Sequence, residues 1–190
     1  GRWTAGARIP AVAIGNLLGG LLILALSWRL AGGFSEPARP MLRAWAWVGA
    51  AVLFTQVALG ALVSASYAGL SCAAPGDCLR AAEAAGWPWQ TLNPWREPVF
   101  AATPMPLNPS GALAQLAHRG GALLAFLVLM PLGLAALRGP RRRDGAALLV
   151  LLMLQLGLGW LAVATVLPLS LALAHNVVAG LLLATAVRLA

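Results

Sequence analysis

The feature that most constrains this chain is a series of apolar stretches, each long enough to cross a lipid bilayer. A membrane-spanning helix needs about 20 predominantly apolar residues. Five stretches meet that requirement, at residues 9–30, 41–67, 112–138, 146–167 and 169–189. Only 9% of the residues are charged and 61% are hydrophobic, whereas soluble domains carry about 25% charged residues. The sequence therefore predicts an all-α integral membrane protein with five transmembrane helices.

The distribution of arginines predicts how these helices are oriented. Linkers 29–43 and 138–144 are rich in arginine, whereas the long segment 70–111 carries more acidic than basic residues. Basic residues concentrate in the cytoplasmic loops of membrane proteins, so we expect these linkers in the cytoplasm and the loop 68–111 outside. The net charge of +8 is thus a topology signal, and no basic patch interleaved with aromatic residues indicates a nucleic-acid partner.

Two histidines are the only ones in the chain, and each lies inside a predicted span. An ionisable side chain within a bilayer is costly and is a functional candidate by default. His118 and His175 each lie about seven residues into spans that run in the same direction, which places both imidazoles about 10 Å below the external interface. If these two spans are diagonal in a four-helix bundle, the imidazoles can face each other as axial ligands of a haem iron.

Residues beside the histidines fit the same interpretation. Gly120, Gly121 and Gly180 would leave room for the edge of a porphyrin, and Arg119 could pair with a haem propionate. In the alternative interpretation, each histidine only hydrogen-bonds to a neighbouring helix, and the matching depth of the pair argues against it. The sequence contains no nucleophile–base pair, paired carboxylates or phosphate loop. Any chemistry would therefore belong to the cofactor.

A Gln-x-x-x-Gly pattern occurs twice, once in the second span and once in the fourth. Gln56 precedes Gly60, and Gln155 precedes Gly159. The recurrence suggests an internal duplication that relates spans two and three to spans four and five. A glycine one turn from the amide would clear space for helix packing or for a flat ligand.

The first span presents small residues at 15, 19 and 20 together with Asn16. Small residues let a second helix approach closely, and an amide can form an interhelical hydrogen bond. This pattern predicts a packing face on the first helix.

The external loop is rich in proline and tryptophan and contains both cysteines. Tryptophan is enriched where a bilayer meets water, so we expect the loop to lie on the membrane surface as a lid, with a short helix at 79–85. Cys72 and Cys78 can form a disulfide outside the cytoplasm. A metal or redox pair is the alternative, but neither further ligands nor Cys-x-x-Cys spacing accompany them.

Together these residues resemble the heme A synthase family, from about Leu53 to the end of the chain. The first residues, 1–4 and 10–12, also resemble the start of that family's fourth span. The motifs that carry the resemblance are the stretch 56–63 (QVALGALV), the stretch 68–72 (AGLSC) with Cys78, His118-Arg119, the stretch 155–159 (QLGLG), and Leu167-Pro168 followed by His175.

The resemblance implies an eight-span bacterial inner-membrane enzyme built from two similar four-helix halves. Members oxidise the C8 methyl of heme O to the formyl group of heme A. Their C-terminal half binds haem b through two histidines that match His118 and His175, and their external-loop disulfide matches Cys72 and Cys78. Membrane lipid, haem, an electron donor, heme O synthase and a second copy of the chain are the implied partners.

The resemblance also implies two departures from the family. We expect residues 1–31 to be the last helix of an otherwise missing N-terminal half and residues 41–190 to be the haem-binding half, so that these residues alone would not turn over substrate. Asn16 stands where the family usually has a histidine of the substrate haem site, and an amide is a poor iron ligand. Two alternatives stay open, a b-type membrane cytochrome for electron transfer and a non-catalytic membrane interaction module.

Overall fold

A computed structural model describes residues 9–31, 39–99 and 107–190 of the chain. The resemblance carried by residues 1–4 lies outside this part. Within it there are six α-helices, one 3-10 turn at Trp89–Leu92 and no β-strand. The helices are α1 (Pro10–Ala31), α2 (Pro40–Ala65), α3 (Pro75–Ala84), α4 (Ala112–Leu137), α5 (Arg142–Ala164) and α6 (Leu169–Leu189).

Five of the described helices, all except α3, are long and apolar enough to cross a membrane. They coincide with the five predicted spans to within a few residues, which confirms the all-α membrane fold. The largest difference is at α5, which begins at Arg142 rather than at Ala146. Its first turn accommodates charge because Asp144 pairs with Arg141 at 3.2 Å and with Arg188 at 3.4 Å.

Helices α2, α4, α5 and α6 form a closed ring in which each helix packs on the next. The ring places α4 diagonally across from α6, which is the condition that the haem interpretation of the sequence requires. Helix α1 lies outside the ring against α6 and α2. Small residues permit the closest approach, since a methyl group at Gly145 would lie 2.9 Å from the backbone oxygen of Gly133.

The buried apolar core fills the arginine-rich end of the ring. Its largest fully buried side chains include Leu129, Leu132 and Leu148. At this end two arginines donate to the last carbonyls of α6: Arg29 to Val187 at 2.9 Å and Arg43 to Ala190 at 3.2 Å. Cations at a helix C-terminus also interact favourably with the helix dipole. The arginines of different linkers therefore lie on one side of the protein.

The described parts of the long loop, residues 68–99 and 107–111, lie at the opposite end of the ring. Helix α1 begins there, because the backbone N–H of Ala11 donates to the oxygen of Pro94 at 2.8 Å. The disulfide between Cys72 and Cys78 is formed, as predicted. Helix α3 begins at Pro75, four residues before the predicted start, because proline fits a first helical turn and the Asp77 carboxylate accepts the N–H of Ala74 at 3.0 Å.

A buried asparagine ties the two ends of the loop together. Asn108 is 4% exposed, and its Nδ2 donates to the backbone oxygen of Ser66 at 2.9 Å. In return, the Ser71 hydroxyl donates to the backbone oxygen of Asn108 at 2.6 Å. The segment before α4 is thereby anchored on the end of α2. The location of the loop on a membrane surface stays a prediction.

Candidate two-histidine site

His118 and His175 occupy equivalent positions in their helices. Each is the seventh residue of its helix, α4 and α6 respectively. Both side chains are half-buried, and their helices lie diagonally opposite each other in the ring. The structure therefore brings together the pair that the sequence predicts, at the loop end of the ring and on diagonally opposed helices.

His118 is contacted by the side-chain amide of Gln56 on α2. The Nε2 atom of Gln56 lies 3.0 Å from Nδ1 of His118. The same Nε2 donates to the backbone oxygen of His118 at 2.9 Å. The imidazole on α4 is thus connected through one ring nitrogen to the neighbouring helix.

His175 has the corresponding partner on α5. Nε2 of Gln155 lies 2.9 Å from Nε2 of His175. Here the contacted ring nitrogen is the other one, and Nδ1 of His175 is buried with no hydrogen-bond partner among the described residues. Each histidine is therefore held by a glutamine from the membrane helix that precedes its own.

The glycine one turn after each glutamine packs against the same ring. A methyl group at Gly60 would lie 2.9 Å from Cε1 of His118, and one at Gly159 would lie 3.0 Å from Cε1 of His175. Either distance is shorter than an ordinary carbon–carbon contact. Each Gln-x-x-x-Gly pattern therefore places an amide and a bare backbone surface against one imidazole.

The likeness of α2 and α5 continues to their C-terminal ends. Each helix ends with a hydroxyl that donates to a leucine carbonyl four residues earlier, followed by a residue with a positive φ angle, 56° or 63°. These ends form Schellman-type caps. The equivalent pairs are Gln56 and Gln155, Gly60 and Gly159, Ser66 and Thr165, and Tyr67 and Val166. The pairs α2/α4 and α5/α6 thus share the same glutamine and glycine contacts to a histidine and the same helix cap, in agreement with the predicted duplication.

The layer of the ring around the histidines is less tightly filled than the core. All residues at 56–60 and 116–119 are half-buried rather than buried. Gly120 and Gly157 are exposed and lie on the outer faces of α4 and α5, in line with the exposed Leu127 and Val150, so the open space beside them is outside the ring. Two imidazoles on diagonal helices, each with a glycine surface against it, suit the axial ligation of a flat metal-containing group such as haem.

Two of the three glycines predicted to border a porphyrin have a different role. A Cβ at Gly121 would collide with Gln56, and a Cβ at Gly180 would lie 2.9 Å from Leu21 of α1. Both glycines allow close helix packing, so the prediction of free space beside them is wrong. A methyl group at Gly120 would meet nothing within 4 Å, but Gly120 shares its face of α4 with the exposed Leu127 and Leu134, so this space is not beside His118.

Arg119 connects the histidine layer to the disulfide-closed loop. Its Nη2 atom donates to the backbone oxygen of Ala73 at 3.1 Å and to that of Cys72 at 3.4 Å, and its Nη1 lies 3.2 Å from Sγ of Cys78. The guanidinium is therefore partly occupied by the loop. This contact was not foreseen from the sequence, where Arg119 was interpreted only as a propionate partner.

Comparison with known proteins adds independent information. The family model of the COX15-CtaA cytochrome oxidase assembly proteins matches residues 5–187. The chain belongs to this family. It is 33% identical over 169 residues to a protein named heme A synthase from Methylobacterium radiotolerans, and the match covers 84% of this chain and 43% of that relative. The chain thus spans less than half the length of the curated relative it matches. No solved structure gave a significant match.

Asn16 does not join the histidine pair in this member of the COX15-CtaA family. It is exposed on α1, on the side of the helix opposite the buried Ala25. A methyl group at Gly15, Gly19 or Gly20 would meet nothing within 4 Å. The predicted packing face of α1 is therefore open, and α1 packs on the ring through its other side.

The sequence reasoning missed Gln56 and Gln155 as partners of the histidines. The signal that could have found them is the repeated Gln-x-x-x-Gly pattern, in which the glycine was expected to clear space for packing or for a flat ligand. In this COX15-CtaA family member the flat group against the glycine is the imidazole itself.

Proposed function

We propose that this chain is the haem-b-binding part of a heme A synthase, with His118 and His175 as the two axial ligands. The observation that carries the proposal is the pair of histidines at equivalent positions of diagonal helices, each contacted by a glutamine. Family membership also supports this proposal, because the COX15-CtaA family is described as cytochrome oxidase assembly proteins and a relative is named heme A synthase.

The residues of this chain would hold and orient the cofactor. A b-type haem at this site supplies one-electron transfer. Helices α4 and α6 would provide the two nitrogen donors, from imidazoles that are half-buried in the ring of four helices. Arg119, at the loop end, is the proposed partner of an anionic propionate, because its guanidinium has five N–H donors and the loop contacts engage only its terminal nitrogens.

The reaction we propose for the whole protein is oxidation of the C8 methyl of heme O to the formyl group of heme A. Its substrate heme would bind outside the two-histidine site, with Asn16 as a candidate contact. An electron carrier, heme O synthase and a second copy of the chain are proposed partners. The loop 68–111 would face the periplasm from a bacterial inner membrane.

The experiment is haem extraction from a bacterium that accumulates heme O because its own heme A synthase has been deleted. The complete protein that contains this chain is expressed there as parent, His118→Ala, His175→Ala and Gly157→Ala. Chromatography should detect heme A with the parent and with the glycine control, and should detect none with either histidine variant. Undiminished heme A from both histidine variants would contradict the proposal.

A second candidate, a b-type membrane cytochrome, is favoured by one observation. Asn16 is an exposed amide at the position where the resembling family usually has a histidine. This candidate predicts a histidine-dependent haem b spectrum together with no heme A in the extracts. An interaction module without haem predicts neither.

A further inference from the structure

The two glutamines that contact the histidines have no role in the function proposed above. We infer that Gln56 and Gln155 are positioning residues that set the ring orientation and the tautomer of His118 and His175. Through these two ligands they would affect how tightly the haem is retained and the midpoint potential of its iron. The inference rests on the proposed haem site. The experiment below separates its failure from failure of that site.

Gln56 is joined to His118 by two contacts. Its Nε2 donates to the backbone oxygen of His118 at 2.9 Å and lies 3.0 Å from Nδ1 of the same residue. An amide nitrogen has two N–H groups, so both are directed at one residue. Because the backbone oxygen is part of helix α4, the first contact fixes the amide, and the second fixes the ring relative to it.

The glycines restrict the same two rings from a second direction. Gly60 lies one turn from Gln56, and Gly159 lies one turn from Gln155, so each pair is on one face of one helix. A methyl group at Gly60 would lie 2.9 Å from Cε1 of His118, and one at Gly159 would lie 3.0 Å from Cε1 of His175. Both distances are shorter than an ordinary carbon–carbon contact. One helix therefore places an amide at one nitrogen of the ring and the backbone surface of a glycine against the neighbouring ring carbon.

Unpaired buried atoms indicate that these amides have a second arrangement. Oε1 of Gln56, Oε1 of Gln155 and Nδ1 of His175 are buried with no hydrogen-bond partner among the described residues. Buried polar atoms in folded proteins are nearly always paired, so each exception requires an explanation. A rotation of either amide that directs its oxygen toward the ring lets that oxygen accept a ring N–H. For Gln56 the amide nitrogen must stay on the backbone oxygen of His118, because a full half-turn would set two acceptor oxygens against each other.

The turned arrangement is the one that suits a metal ligand. A histidine that binds a metal through one nitrogen usually donates the N–H of the other to an oxygen acceptor. For His118, acceptance at Nδ1 by Oε1 of Gln56, with the amide nitrogen still on the backbone oxygen, leaves Nε2 of the ring for iron. For His175, the ring also turns over and brings its unpaired Nδ1 to Gln155. The unpaired oxygens thereby gain donors when the histidines become ligands.

The test compares two substitutions at each glutamine with a matched control. The leucine variants, Gln56→Leu and Gln155→Leu, remove the hydrogen bond to the imidazole. The glutamate variants, Gln56→Glu and Gln155→Glu, keep a hydrogen-bond acceptor at the same place. The control, Gln115→Leu, removes a buried amide that donates to the Gly69 oxygen at 2.8 Å and contacts no imidazole. Each leucine variant at 56 or 155 should retain haem b about 10- to 100-fold less tightly and raise the midpoint potential. Each glutamate variant should retain haem and lower the potential, because a carboxylate makes the imidazole more basic. The control should match the parent.

A second readout needs no haem. The chain has only two histidines, so ¹⁵N-histidine labelling gives two resolvable imidazoles in a magic-angle-spinning spectrum of the free chain in lipid. Donation by the amides predicts a proton on Nε2 of His118 and on Nδ1 of His175. Gln56→Leu should change the signals of His118, Gln155→Leu those of His175, and Gln115→Leu neither.

The outcomes separate the two claims. If the parent binds haem through both histidines while all variants at 56 and 155 equal Gln115→Leu in retention, potential and ring signals, the inference is overturned and the haem site stands. If the folded parent binds no haem, the proposed function fails. The ring signals of the free chain then still decide whether the glutamines set the tautomers.

Discussion

The amide nitrogen of Gln56 lies 3.0 Å from Nδ1 of His118, although the two residues belong to different membrane helices. One turn further along α2, Gly60 packs against the same imidazole. Helix α5 repeats both contacts with His175. The two rings are therefore oriented by the helices that flank them as well as by their own backbones, and this arrangement leads to the following predictions.

Enlarging the glycines should disturb the histidines. In Gly60→Ala the new methyl group would lie 2.9 Å from Cε1 of His118, so the ring must move, at a cost of about 1–3 kcal/mol for overpacking. We expect the haem content of the purified chain to fall. The measurement is the ratio of haem absorbance to protein. Gly157→Ala is the control, because its methyl group would meet nothing within 4 Å, and an equal loss in both variants would contradict the prediction.

Removing the guanidinium of Arg119 should loosen the disulfide-closed loop. Arg119→Met loses hydrogen bonds to Cys72, Ala73 and Cys78, and hydrogen bonds from a charged group are each worth about 1.5–3 kcal/mol. We expect faster reduction of the disulfide, read as alkylation of the two cysteines under graded reductant. Arg80→Met removes only an exposed ion pair with Asp77, worth about 0–1 kcal/mol. A rate for Arg119→Met no higher than that of Arg80→Met would refute the role of this contact.

Glycine should stabilise the turn between α5 and α6. Val166 is a β-branched residue with φ of 63° and is 55% exposed, and the left-handed region costs such a residue about 1–2 kcal/mol. Val166→Gly should therefore raise the thermal midpoint of the chain in detergent. Val150→Gly should lower it, because Val150 is 66% exposed in the interior of α5 and glycine costs about 1 kcal/mol there. A lower midpoint for both variants would argue against strain at Val166.

The leucine core at the arginine-rich end should dominate the stability of the ring. Leu129 is fully buried on α4, whereas Leu127 on the same helix is 59% exposed. Leu129→Ala should lower the free energy of unfolding by about 2–5 kcal/mol, and Leu127→Ala should have a much smaller effect. Denaturant titration in mixed micelles measures both. Equal destabilisation would place the core elsewhere.

The five membrane helices could be predicted from the sequence because apolar length decides whether a segment spans a bilayer. The diagonal placement of α4 and α6 was only a condition of the haem interpretation, and the packing of the four helices supplies it. The matching depth of His118 and His175 followed from counting residues from the helix starts. These features depend on one helix at a time, or on the order of helices along the chain.

The partners of the histidines could not be predicted in the same way. Whether Gln56 meets His118 depends on the rotation and register of α2 against α4, which are set by close packing at positions such as Gly121. For the same reason, the sequence suggested free space at Gly121 and Gly180, where the structure has neighbouring side chains. Helix α3 was predicted too short because the capping contribution of Asp77 was not recognised.

The most direct test of the haem site is the reduced-minus-oxidised visible spectrum of the detergent-purified chain beside His118→Ala and His175→Ala. We predict a low-spin b-type α band in the parent that is lost or becomes high-spin in both variants, with the helical content of all three proteins unchanged. A folded parent without haem, or an unaltered low-spin band in both variants, would contradict the assignment of these two histidines as the ligands.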